Sequence, residues 1–236
     1  MQKSIICGMG EIGKSLYNVL SKQYTIETWD NKENGTFVSG TFTMNTPVDI
    51  LHICFPYSEN FVQQVQEYQA KYNPKYTVIH STVKPGTSDK LNAIHSPVIG
   101  IHPHLEESLT TFTKFLGGDK ASEVADYFRR VGIKVYITEN AFSTELMKIL
   151  DTTYYAMCIE YTKEVNRLCD ETITPFELWT IWNNEYNKGY QKLGYPEYTR
   201  PNLIPIMTKQ GGHCTLPNCE FLDNEFTKFI KDLNES

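Results

Sequence analysis

Two short stretches carry side chains suited to proton or covalent chemistry. The first is Thr144-Glu145-Leu146-Met147-Lys148-Ile149-Leu150-Asp151-Thr152. At about 100° per residue, Glu145, Lys148, Thr152 and Tyr155 share one helix face, and Leu146, Met147, Ile149, Leu150 and Tyr154 fill much of the rest. A lysine on so apolar a helix is costly to bury. Desolvated in a cleft, its amine would lose basicity and could exchange a proton with an alcohol. On a wet stripe it would instead pair with Glu145. The second stretch is Gly211-Gly212-His213-Cys214-Thr215-Leu216-Pro217-Asn218. Paired glycines let backbone come close to a ligand, and Cys214 beside His213 reads as an activated thiol. The same residues also read as a buried structural cysteine, or as a metal site with Cys219. Cys-x₄-Cys with one adjacent His is poor zinc spacing, and His102 and His104 lie far away in sequence, so no metal is expected.

A third stretch suits an anion. Gly8, Gly10 and Gly13 in Cys7-Gly8-Met9-Gly10-Glu11-Ile12-Gly13 fit the spacing G-x-G-x-x-G, after the apolar run Ile5-Ile6-Cys7 and before an amphipathic run. In a strand–turn–helix, the first glycine permits the tight turn, the second lets backbone approach a pyrophosphate, and the third lets helix pack on strand. Asp30 closes the next apolar run, 17 residues past Gly13. An acid there accepts from a ribose diol and repels a 2′-phosphate, which favours NAD over NADP. Phe55, the last residue of the run Asp49–Phe55, Pro56, which stops it, and Ser81 and Thr82, after Tyr76–His80, lie where strands should end. Ligands of open α/β sheets bind beyond such ends. A Ser or Thr at that place is also a common helix cap.

The elements that must hold these residues alternate. Strands are expected at 3–7, 24–29, 49–55, 76–80, 97–101 and 133–137. Helices are expected at 11–22, 58–72, 120–131 and, briefly, after the loop 81–87. The pattern is that of an α/β fold with a Rossmann-type doubly wound parallel sheet over residues 1–140. Beyond it, 143–170 contains no Pro or Gly and has helical periodicity. Pro175 opens a further helix to about 193, and a short amphipathic helix covers 223–233. Residues 141–236 thus read as a helical substrate and dimerisation region, with the helix 143–170 pairing two copies. The formal charge of −6 disfavours a nucleic-acid partner, and no apolar run has membrane-spanning length. Six scattered cysteines read as reduced, and the cytoplasm is the expected location.

In this order the glycine motif, Ser81-Thr82-Val83, Glu145-x-x-Lys148 and Gly211-Gly212-x-Cys214 resemble the UDP-glucose/GDP-mannose dehydrogenase family. That family lies in the wider superfamily of 6-phosphogluconate and β-hydroxyacid dehydrogenases. The resemblance implies an NAD-dependent oxidoreductase acting on an alcohol, such as a sugar or sugar nucleotide. Lys148 would stabilise developing oxyanions, Thr82 would position water, and Cys214 would form a thiohemiacetal with an aldehyde. It also implies a central dimer-forming helix. Thr152 and Asn218 stand where the family usually has Asn and Asp. His102-Pro103-His104 replaces its Pro-Glu segment. The family's carboxy-terminal domain does not follow Cys214, so the substrate is expected to be smaller, to be held by a partner subunit, or to be held by His102, His104, Glu145, His213, Arg200 or Lys209. A non-catalytic NAD-binding protein built on the same fold is the alternative.

Overall fold

The computed structural model describes residues 3–30, 48–206, 208–211 and 215–235. The chain divides into two compact units, Met1–Lys148 and Ile149–Ser236. The first runs β1 (Lys3–Cys7), α1 (Glu11–Leu20), β2 (Thr25–Trp29), β3 (Ile50–Ile53), α2 (Phe61–Tyr72), β4 (Tyr76–Ile79) and α3 (Thr87–Lys90). It continues with β5 (Ile94–His95), α4 (Leu105–Thr111), β6 (Lys114–Gly117), α5 (Ala121–Arg129) and β7 (Val135–Thr138), and ends in the first turns of α6 (Ala141–Glu171). Among the described residues, seven strands form one sheet in the order β2-β1-β3-β4-β5-β6-β7. The chain leaves β1 toward β2 and returns to β3 on its other side, so a crevice opens beyond the carboxyl ends of β1 and β3.

Strand sequences read as near-continuous apolar runs because both sheet faces are covered. Side chains alternate between those faces. Ile5, Cys7, Leu51 and Ile53 pack with Phe61 and Val65 of α2. Ile6 and Ile50 join Leu16, Val19 and Leu20 of α1 and Val124 and Phe128 of α5 on the opposite face. The α/β doubly wound class expected from the sequence is the class observed. Two local expectations need correction. No strand covers 97–101: β5 is only Ile94–His95, because Pro97 has no N–H to continue a ladder. A short helix, α4, and a strand, β6, follow instead. β6 pairs with β5 antiparallel through His95 and Gly117, so the sheet is parallel at every other junction but not at this one.

The second unit holds the rest of α6, then α7 (Phe176–Lys192), a 3₁₀ turn at Pro196–Tyr198, α8 (Leu216–Cys219) and α9 (Glu225–Glu235). α6 has 31 residues, roughly 46 Å at about 1.5 Å per residue. Within this unit Ala156 of α6, Cys219 of α8 and Ile230 of α9 form a small buried cluster, with Met157 and Leu216 packed on it. Among the described residues no helix is long and apolar enough to cross a membrane.

Candidate functional site

The glycine turn joins β1 to α1 at the carboxyl edge of the sheet. Gly8 has φ +94° and donates its N–H to Trp29 O at 2.8 Å. A Cβ there would meet the backbone of Phe55 at 2.6 Å, so only glycine lets the turn lie against the end of β3. A Cβ on Gly13 would overlap the Gly8 carbonyl, which shows how closely α1 sits on the turn. Gly10 is different: it is exposed, and among the described residues a Cβ would meet nothing within 4 Å. Gly10 is also the N-cap of α1, with no side-chain hydrogen bond closing the helix end. The first N–H groups of a helix need an acceptor, and the Gly10 side chain can supply none. Met9 is buried, Ile12 half-buried and Glu11 exposed.

Asp30 follows β2 and accepts the Met9 N–H at 2.7 Å, so its carboxylate is anchored to the glycine turn. Phe55 and Pro56 follow β3, half-buried and exposed. Ser81 follows β4 by two residues and donates its hydroxyl to Phe55 O at 2.6 Å. The ends of β1, β2, β3 and β4 are thereby joined around one crevice. Thr82, half-buried, stands next along that edge.

Lys148, half-buried, closes the first unit on α6. Glu145 does not lie open to a substrate as expected. Its side chain is buried, and its carboxylate accepts N–H groups of Gly86 at 2.6 Å and Ser88 at 2.8 Å. Burial pushes its pKa up, against the lowering effect of those bonds. His102 is exposed and points to the glycine helix, its Nδ1 3.1 Å from Glu11 Oε2. His104 is exposed at the start of α4.

In the second unit, buried Asn218 donates from Nδ2 to buried Thr152 Oγ1 at 3.0 Å, and Thr152 donates to Ile149 O at 3.0 Å. Arg200 stacks on the Tyr186 ring, 3.8 Å from its centroid, and Lys209 pairs with Glu235. His213 and Cys214 lie outside the described residues. Among the described residues no group of three His, Cys, Asp or Glu side chains is placed to hold a metal ion.

Sequence reasoning missed a polar chain under the sheet. His80 Nδ1 lies 3.0 Å from Ser96 O, a group that only accepts, so Nδ1 carries the proton. His80 Nε2 must then accept from His52 Nδ1 at 2.9 Å, and His52 Nε2 from Tyr127 Oη at 3.2 Å. Ser4 Oγ completes the chain on Tyr127 Oη at 2.9 Å. Both imidazoles are therefore neutral. Burial holds His52 down to about 3 and His80 well below its usual range. The Lys114 amine also binds Ser96 O at 3.0 Å, and burial lowers it to about 7. A third buried histidine, His95, has Nε2 3.1 Å from Ser81 O and Nδ1 2.9 Å from Thr144 Oγ1, and is held down to about 3. The signal is present in Leu51-His52, Ile79-His80 and Ile94-His95: each apolar run carries a histidine.

No family model and no curated protein sequence matches the chain. Solved structures do. A UDP-D-ManNAc dehydrogenase from Pyrococcus horikoshii aligns at a TM-score of 0.80 and 16% identity, over 99% of this chain and 68% of that one. The UDP-N-acetyl-mannosamine dehydrogenase Cap5O from Staphylococcus aureus aligns at 0.74 and 16%, over 100% and 68%. A 3-hydroxyisobutyrate dehydrogenase from Mycobacterium tuberculosis, with L-serine, aligns at 0.71 and 11%, over 100% and 93%. At these identities the likeness is one of architecture, and the chain has the fold of these dehydrogenases.

Proposed function

We propose that the protein is an NAD-dependent oxidoreductase that oxidises an alcohol, a sugar or sugar nucleotide being the class to screen first. The observation that carries this reading is the glycine turn, open at Gly10 and tied by the Met9 N–H to Asp30. The groups present fit a dinucleotide. Backbone N–H groups of Glu11, Ile12 and Gly13 would receive the pyrophosphate. Asp30 would take the ribose hydroxyls and disfavour a 2′-phosphate. Phe55, Pro56, Ser81 and Thr82 would line the remainder. When bound, NAD supplies a hydride acceptor.

The chain's own part is to hold and move a proton. Lys148 would accept the alcohol proton, and Thr82 would orient the hydroxyl or a water. Thr152 and Asn218, already bonded to each other, would act as polar positioning groups. Cys214 would serve as a nucleophile where oxidation continues to the acid. His102, beside Glu11, and His104 and His213 are the proposed substrate-side imidazoles. The fold likeness to dehydrogenases supports the class of reaction.

The reading extends to assembly and location. On α6, exposed Met147, Leu150, Tyr154, Tyr161 and Leu168 recur at intervals of three, four and seven residues. Such a stripe suits helix pairing, and we read it as a homodimer seam. The five described cysteines are free thiols, as a reducing cytoplasm would keep them.

The test is a screen of alcohols and sugar nucleotides for NADH formation at 340 nm, repeated with Lys148→Ala. Turnover that falls at least about 100-fold in Lys148→Ala, within the range general acid–base groups supply, supports the reading. Turnover untouched by that substitution would remove Lys148 from the mechanism.

A further inference from the structure

The loop from Ser81 to Ser88 carries Thr82 and runs from β4 into α3. It is fastened to one turn of one helix, directly at its end and through His95 of β5 at its start. At its start, the Ser81 carbonyl lies 3.1 Å from His95 Nε2. A carbonyl only accepts, so Nε2 bears the proton, and in the neutral ring Nδ1 is left to accept from the Thr144 hydroxyl 2.9 Å away, which also lies 2.9 Å from Ala141 O. At its end, the N–H groups of Gly86 and Ser88 converge on the two oxygens of Glu145, at 2.6 and 2.8 Å. Thr144 and Glu145 are consecutive in α6, and Lys148 follows Glu145 by three residues.

A fully buried carboxylate is a costly choice where an apolar side chain would pack. What it provides is geometry. Gly86 has φ +86°, and α3 has only four residues and no side-chain cap of its own. Its first donors need an acceptor from elsewhere. Two oxygens on one rigid fork fix both donors at once. His95 fixes the other end through a single tautomer.

We propose that Glu145 and His95 are positioning residues, which set the loop bearing Thr82 against the helix bearing Lys148. The assignment rests on the reading above that Thr82 and Lys148 both face the substrate. Neither Glu145 nor His95 touches substrate in this account. Their effect reaches the reaction through Thr82.

The experiment pairs hydrogen–deuterium exchange with steady-state kinetics on the full chain and its Glu145→Gln variant. Gln keeps one acceptor but turns an NH₂ toward the second backbone N–H. Amide exchange in 82–88 should rise at least tenfold in Glu145→Gln while exchange in 11–20 stays as in the wild type. NAD⁺ affinity should hold within about twofold, and kcat should fall at least tenfold with KM little changed. A folded variant with wild-type exchange in 82–88, or with wild-type kcat, overturns the proposal. Should Glu145→Gln not fold, Thr144→Val carries the same two readouts, with the exchange gain expected at 81–83. Should the wild type bind NAD⁺ yet oxidise no alcohol, the functional reading fails, and the exchange result alone then decides whether these residues place the loop.

Discussion

His52, His80 and His95 each need a bare ring nitrogen, because each accepts from one neighbour while donating to another. Protonating any of them leaves a buried charge and turns an acceptor into a donor facing a donor. The consequence for stability has a definite sign. The folded pKa values of His52 and His95 lie near 3, below the ~6.5 of an unfolded chain. The unfolded state therefore takes up protons first, and stability present above pH 6.5 is lost as pH falls toward 3. Each histidine should cost roughly 1.4 kcal/mol per pH unit in that window. Urea unfolding at pH 7 and at pH 5.5 should show a clear drop at the lower pH. His52→Gln should flatten it by about one histidine's share. An unfolding free energy indifferent to pH over this range would show that the relay does not hold neutral imidazoles.

At the scale of elements, legibility tracked length and patterning. β1, β3 and β4 were readable because each is an apolar run bounded by turn residues. The long helix was readable because nothing in 143–170 can break it, and it extends by two residues to Ala141 and one to Glu171. β5 was misplaced because Pro97-Val98-Ile99-Gly100-Ile101 has strand composition, while the pairing stops at the residue before a proline that cannot donate. α4 was unreadable at seven residues, although Leu105, Ser108 and Leu109 have the spacing of one buried face. The glycine turn, Asp30 and the Ser81 loop were legible at the site because motifs are local. The partners of Glu145 were not, since Gly86 and Ser88 lie 59 and 57 residues away in the chain. The stripe of Met147, Leu150, Tyr154, Tyr161 and Leu168 is also an element-scale feature. If it is a dimer seam, sedimentation should report twice the chain mass. Tyr154→Glu with Tyr161→Glu should then yield a folded monomer. A wild-type protein that sediments as a monomer would leave the stripe without that role.

Across the whole molecule, the first unit contains everything proposed for a dinucleotide, the glycine turn, Asp30 and the loop ends after β3 and β4, together with Lys148, proposed for the alcohol proton. The second supplies the Thr152–Asn218 pair and much of α6. Every functional statement therefore depends first on whether the crevice beyond β1 and β3 takes NAD. The most direct measurement is a calorimetric titration of the full chain with NAD⁺ and then NADP⁺, alongside Gly10→Ala and Asp30→Ala. A Cβ on Gly10 meets none of the described residues within 4 Å, so Gly10→Ala should fold normally and weaken binding through a ligand lying on that backbone. The account expects NAD⁺ to bind, NADP⁺ to bind much more weakly, and both substitutions to lower NAD⁺ affinity at least tenfold. Folded protein that binds neither cofactor, or that binds NAD⁺ equally well in Gly10→Ala and Asp30→Ala, would contradict it.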